Sequence, residues 1–294
     1  MNNSETTGLY LHIPFCSAKC HYCDFYSQPY RENEVAGYVD ALLHQLHAFD
    51  RSGHIGPVDT VYLGGGTPSI LPVEQTGRLL DRVFHIGRVM DGAEITMEVN
   101  PESCSFEYFS QLRSWGVNRL SVGVQSSFDD TLSAIGRRHT YRQAENAVTL
   151  AARAGFDNIS ADLMIGLPGQ DGERLQQTLE KILQLPLVHI SAYILKLSPE
   201  TMMGGHPPDS LPDDDGQAEL YETACRMLRE GGFVQYEISN FAHPGSESLH
   251  NTRYWDCRDY LGLGPAAHSS LQGTRYSFPS DLRQFTDMYR SLKH

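Results

Sequence analysis

The spacing of apolar residues along this chain switches repeatedly between a two-residue and a three-to-four-residue step. Leu9-Tyr10-Leu11-His12-Ile13-Pro14-Phe15 opens as a strand-like run. Val35, Val39, Leu42, Leu43 and Leu46 then fall at helical steps, which predicts a helix over 32–50. The next apolar run, Asp59 to Leu63, breaks at Gly64-Gly65-Gly66-Thr67-Pro68-Ser69, and a helix over 73–88 follows. Further strands are predicted over 94–100, 119–125, 159–167 and 189–197. Helices are predicted over 106–115, 141–154, from 171 to about 185, and over 218–230, with Gly155 and Gly231-Gly232 as stops. Each strand is followed by helical pattern, which implies an α/β fold with a parallel sheet and crossover helices outside it. Six such units fit an incomplete TIM-like (β/α)6 barrel or an open doubly wound sheet. In both, functional residues belong at the carboxyl ends of the strands.

Past residue 233 the pattern changes, which divides the chain into a core over 1–232 and a C-terminal α+β extension over 233–294. Tyr236–Phe241 reads as a strand. His250-Asn251-Thr252-Arg253-Tyr254-Trp255 and the Gly-rich run from Tyr260 to Ser269 have weak periodicity and read as a lid or packing extension across the barrel. A helix from Asp281 to Leu292 closes the chain.

Charge narrows the choice of partners. The net charge of −13, from 23 Lys+Arg against 36 Asp+Glu, argues against nucleic acid, since no basic run offers phosphate contacts. No run of apolar residues is long enough to span a membrane. The first five residues carry neither the basic nor the apolar region of a signal peptide. Six cysteines, three of them clustered, fit a reducing compartment, so the expectation is a cytoplasmic protein.

That cluster, Cys16-Ser-Ala-Lys-Cys20-His-Tyr-Cys23, sits on a tight loop just past the first strand. Iron–sulfur clusters are usually held by four thiolates. Three leave one iron without a protein ligand, open to a small molecule bearing an amine and a carboxylate. A structural zinc held by the three cysteines and His12 or His21 is the other reading. The glycine run lets backbone N–H groups approach a ligand closely, as in an anion cradle, or is a plain strand-end turn. Glu98 near the end of the third strand can bind an ammonium or ribose hydroxyls, or face solvent. Asp162 inside an apolar strand needs a partner to be buried, and Arg137 is a candidate counter-ion. Gln125 ends the fourth strand.

Taken in order, Leu9-Tyr-Leu-His-Ile-Pro-Phe-Cys16, the glycine-Thr-Pro run, Glu98-Val-Asn-Pro, Ser121-Val-Gly-Val-Gln125-Ser, Asp162-Leu-Met-Ile-Gly-Leu-Pro168 and His250-Asn-x-x-Tyr-Trp255 resemble the radical S-adenosylmethionine (SAM) superfamily. Within it they resemble oxygen-independent coproporphyrinogen III oxidase and its relatives, from Leu9 to Ser269. The resemblance implies a radical SAM barrel in which Cys16, Cys20 and Cys23 bind a 4Fe–4S cluster and Tyr10, Gly65 and Glu98 contact SAM on its open iron. Tyr22, Gly66, Thr67, Gln125, Arg137 and Asp162 would line the SAM pocket or one adjacent to it.

Two departures point to the heme-chaperone (HemW) branch of that family. The oxidase motif has a fourth cysteine two residues after the third, where this chain has Phe25, and a long N-terminal extension, where only fifteen residues precede Cys16. Members of the branch bind heme and pass it to acceptor proteins. The alternative is a coproporphyrinogen III dehydrogenase acting on porphyrinogen propionates. Family members continue into a small C-terminal domain, so this chain is expected to carry only part of it. Imidazole is a common axial donor to heme iron. His250 is the first candidate, with a hydrogen-bonded hinge as its other reading; His268 is the second and His206 the third.

Overall fold

A computed structural model describes residues 6–86 and 88–290. Strand β1 (Thr7–Ile13) is followed by two-residue strands β2 (Phe15–Cys16) and β3 (Gln28–Pro29), then by helix α1 (Glu32–Arg51). The alternation continues through β4 (Val58–Gly65), α2 (Val73–His85), β5 (Val89–Val99), α3 (Phe106–Ser114), β6 (Arg119–Gln125), α4 (Asp129–Ala134), α5 (Tyr141–Arg153), β7 (Asn158–Ile165), α6 (Gly172–Ile182) and β8 (His189–Ile194). Local chemistry sets several boundaries. Thr140 and Gln143 form a reciprocal capping box at the start of α5, and Asp171 caps α6 by accepting from Arg174 N.

Strands β1, β4, β5, β6, β7 and β8 lie side by side in that order, all parallel. Alternation along each strand gives the sheet two unlike faces. Leu9, Leu11, Val61, Leu63, Ile95, Met97, Leu120, Val122, Ile159, Ala161, Ile190 and Ala192 face one way and join the buried core beneath the helices. The opposite face is polar. Register sets Tyr62, Thr96, Arg119 and Asn158 in one row, and Glu98, Ser121, Ser160 and His189 in the next. A parallel sheet covered by helices on one side and curled around polar side chains on the other is the incomplete TIM-like barrel expected from the pattern. Its last parallel strand, β8, pairs with β10 rather than β1, so the described residues do not close the ring.

The segment past residue 233 departs from expectation. After α7 (Met202–Gly205) and α8 (Asp214–Glu230), the expected strand over 236–241 is replaced by a short antiparallel pair, β9 (Val234–Gln235) and β10 (Asn240–Ala242). The residues between them turn because Tyr236 N–H bonds Asn240 O, while the Tyr236 hydroxyl meets His189 Nε2 at 2.8 Å. The run read as an irregular lid contains helix α9 (Leu249–Trp255), strand β11 (Tyr260–Leu263) and the start of β12 (His268–Leu271); β13 (Thr274–Ser277) follows, and α10 (Leu282–Arg290) is the closing helix expected from Asp281. Leu292, at the expected end of the last helix, lies outside the described residues. Strand β11 extends the main sheet by pairing parallel with β1.

Helix α9 plugs the amino-terminal end of the barrel instead of covering its mouth. The Glu94 carboxylate accepts from Leu249 N–H at 2.9 Å and His250 N–H at 3.0 Å, a favourable charge at a helix start. Buried Arg253 pairs with Asp59 and bonds Thr6. The helical period was hard to see because α9 buries polar side chains, His250 and Arg253, where an amphipathic helix has apolar ones.

Candidate functional site

Parallel pairing of β2 with β3 pins both ends of the cysteine loop, setting Cys16 beside Pro29. Between these ends, Cys23 N–H closes a turn on Cys20 O, and His21 N–H bonds Ile135 O at the end of α4. His21 O accepts from Met203 N–H of α7 at 2.8 Å. The Cys16 Sγ accepts from Thr67 Oγ1 at 3.6 Å. The loop is therefore held by β3, by α4, by α7 and by the turn after β4.

The glycine run packs tightly, and the carboxylate its Gly65 N–H meets is the protein's own Glu98. Its N–H groups are already engaged: Gly65 bonds Glu98 Oε2, Gly66 bonds Ile13 O, and Thr67 bonds Phe15 O. Gly65 has φ +112°, a conformation side chains rarely adopt, and a Cβ there would meet the His12 ring at 2.6 Å. A Cβ on Gly66 would meet Phe15 O at 2.7 Å and Cys16 Sγ at 3.1 Å. The turn brings β4 against the base of the cysteine loop because nothing larger fits between them.

At the carboxyl ends of the strands these parts enclose a cleft of about 400 Å³. Its walls include Cys16, Cys20, Cys23, Tyr22, Gly65, Gly66, Thr67, Glu98, Gln125, Arg137 and Asp162. Tyr10 is the one expected SAM residue that does not line it. It lies on the inner face of β1, its hydroxyl 3.0 Å from His12 Nδ1 and its ring 6.1 Å from that of Tyr62.

Two half-buried carboxylates dominate the floor. Glu98 accepts from Tyr62 OH at 2.9 Å and Gly65 N–H at 3.2 Å. Burial first, and Asp162 second, push its pKa up to about 7. Asp162 accepts from Ser121 Oγ at 2.9 Å and also bonds Ser191; burial raises its pKa too. Arg137 does not supply the hydrogen bonds that hold Asp162. Its guanidinium donates to Asn100 Oδ1 at 2.8 Å and Tyr22 OH at 2.9 Å, bracing the cysteine loop against the end of β5. Burial pushes the Tyr22 hydroxyl up to about 12, so it stays protonated. Gln125 sits at φ +67° after a register shift between Gly123 and Gln125, and this irregularity turns its side chain into the cleft.

The donor set fits an iron–sulfur cluster. Three thiols border one cleft, and burial together with mutual proximity raises the pKa of Cys20 and Cys23, an electrostatic load that a bound cation relieves. Among the described residues no three Cys, His, Asp or Glu side chains converge on a single metal ion. A cluster asks instead for one thiolate per iron. His12, a possible fourth donor to zinc, has both ring nitrogens engaged, by Tyr10 OH and Tyr26 O.

The heme candidates lie elsewhere. His250 is wholly buried in the barrel plug, Nδ1 2.9 Å from Thr60 Oγ1 and Nε2 2.9 Å from Tyr254 OH, and burial pulls its pKa down to about 3. In this geometry neither nitrogen is open to an iron, and the structure does not bring His250 to the cleft. His268 is exposed at the start of β12, and exposed His206 caps the end of α7 beside the cysteine loop. The cleft also recruits residues to which the sequence assigned no role: Tyr62, Asn100, Ser121, Tyr193 and Lys196. Their signal was present as polar residues on alternate positions within apolar strands, as in Arg119 and Ser121.

A family model of the radical SAM superfamily matches residues 10–182, from β1 to the end of α6. The heme chaperone HemW of Lactococcus lactis is 38% identical over 275 residues, 92% of this chain and 72% of the relative. That of Bacillus subtilis is 37% identical over 284 residues, 95% of this chain and 75% of the relative. The chain belongs to the radical SAM superfamily, in its HemW group. The radical SAM coproporphyrinogen III oxidase HemN of Escherichia coli has the same fold, with a TM-score of 0.87, 24% identity, and coverage of 98% of this chain and 70% of that one. Radical SAM chemistry rests on a 4Fe–4S cluster and SAM, and the three-thiol loop lies inside the matched region. No helix among the described residues is long and apolar enough to cross a membrane.

Proposed function

We propose that this protein is a cytoplasmic heme chaperone that binds heme and delivers it to acceptor proteins, using a SAM-ligated 4Fe–4S cluster. The observation that carries this reading is 38% identity to a heme chaperone HemW along 92% of the chain, with the three thiols lining one cleft. Cys16, Cys20 and Cys23 would hold the cluster. Glu98, Gln125, Arg137, Asp162, Tyr22 and the Gly65-Gly66-Thr67 turn would wall the SAM site, with Tyr10 supporting it from the inner face of β1. When bound, cluster and SAM supply one-electron chemistry. The chain's own residues would fix the loop and hold Glu98 and Asp162 in place through Tyr62, Gly65 and Ser121. Six cysteines without a disulfide among them suit a reducing cytoplasm.

Titrating heme into anaerobically reconstituted protein and following the Soret band tests the reading; saturable binding is expected, and its absence overturns it. Incubation with coproporphyrinogen III, SAM and a reductant separates the chaperone from a coproporphyrinogen dehydrogenase. No vinyl product is expected; its formation would establish the dehydrogenase instead. Replacing any one of the three cysteines by alanine is expected to abolish reconstituted iron and sulfide.

A further inference from the structure

The mouth of the cleft carries a chemistry that its floor does not. Phe25 is 67% exposed, Tyr193 41% and Ile194 40%, and all three line the cleft. Met202, 66% exposed, starts α7, which is hydrogen-bonded to the cysteine loop through Met203 N–H and His21 O. Large apolar side chains gathered at one rim mark a contact surface. Two ammonium groups share this rim. The chain has only four lysines, Lys19, Lys181, Lys196 and Lys293, and two of them, Lys19 and Lys196, line this cleft. Lys19 Nζ donates to Phe25 O at 3.2 Å, so one ammonium sits at the base of the exposed ring. Lys196 follows Ile194 by two residues, and both line the cleft. Asp24 is the carboxylate at the same rim. In a chain of net charge −13, two exposed ammonium groups flanking an apolar rim are a specific feature.

A flat apolar ligand with anionic groups on one edge matches this surface. We propose that heme seats on the rim formed by Phe25, Tyr193 and Ile194, with its propionates on Lys19 and Lys196, above the floor given over to cluster and SAM. The inference rests on the heme-chaperone reading and names the place where the cargo sits. It also gives Phe25 a role: where a fourth thiol would face the cleft, this chain presents an apolar ring to the porphyrin.

The test uses the full chain, anaerobically reconstituted with its cluster, titrated with heme and, separately, with iron protoporphyrin IX dimethyl ester. The wild type is expected to bind heme about tenfold more tightly than the ester, the scale of a charge-assisted hydrogen bond. Lys196→Glu is expected to lose about tenfold in heme affinity and to narrow the preference over the ester, whereas Lys196→Arg keeps both. Ile194→Asp should weaken heme and ester alike. Iron and sulfide contents should not change in any of these variants. Equal binding of heme and ester by the wild type, or wild-type affinity in both Lys196→Glu and Ile194→Asp, would overturn the seat. Self-association of the wild type lost in Ile194→Asp, with heme affinity retained, would overturn it in favour of a second copy on the rim. Failure of the wild type to take up any heme would instead remove the function on which the seat depends.

Discussion

The Gly65 N–H donates to Glu98 Oε2 at 3.2 Å, so the turn that ends β4 and the carboxylate near the end of β5 form one rigid unit under the cysteine loop. The other Glu98 oxygen is held by Tyr62 OH. This carboxylate is thus fixed in position by neutral donors, while burial and Asp162 resist its charge.

The pH dependence of stability follows from that conflict. Glu98 titrates near 4.5 when unfolded and at about 7 when folded. Between those values the folded state holds a proton that the unfolded state releases. The contribution is therefore fully present at low pH and is lost as pH rises from about 4.5 to about 7. Its full size is about 3 kcal/mol. In Glu98→Gln this component should vanish, so the difference in denaturation midpoint between variant and wild type, followed from pH 5 to about 8, should grow in the variant's favour. A difference independent of pH would refute the assignment.

Arg119 lies one strand position pair below Ser121 on the inner face, 1% exposed, and its Nε has no hydrogen-bond partner. Among the described residues no carboxylate oxygen lies within ion-pairing distance of it. Its positive charge nevertheless lowers the pKa of both Glu98 and Asp162. Arg119→Met should leave folding intact, because a buried unpaired cation is exchanged for an apolar chain of similar length. The Glu98 titration should move upward, read by carboxyl carbon NMR shifts in the labelled protein. An unmoved titration would show that Arg119 acts only in packing.

His250→Ala removes a buried ring and strands Thr60 Oγ1 and Tyr254 OH, which should destabilise the fold by about 3 kcal/mol. The folded imidazole titrates near 3 against 6.5 unfolded, so its contribution is complete above 6.5 and declines as pH falls toward 3. Heme affinity and the Soret position should match the wild type at temperatures where the variant is folded. A shifted Soret band would show that His250 leaves the plug to bind iron.

Gly66→Ala tests the base of the cysteine loop. The added Cβ would meet Phe15 O at 2.7 Å and Cys16 Sγ at 3.1 Å, and backbone cannot swing aside as a flexible side chain would. A loss of about 1–3 kcal/mol is expected. Reconstituted iron should fall below that of wild type even at temperatures well under the variant's melting point; full iron content would show that the loop tolerates the extra methyl.

Sequence alone determined the parallel βα framework, because strands and helices bury opposite periodicities, and Val35 to Leu46 or Leu120 to Val124 admit one reading each. It also determined the cluster loop, since three thiols within eight residues are a local property of the chain. Tertiary structure decided what local pattern cannot carry. Register alone sets Tyr62, Ser121 and Tyr193 into the same cleft as Glu98. The fate of His250 depended on Thr60 and Glu94, residues 190 and 156 positions away, which draw α9 into the base of the barrel. A histidine's chemistry is set by what occupies its two nitrogens, and those partners are chosen by packing across the sheet, not by its neighbours in sequence.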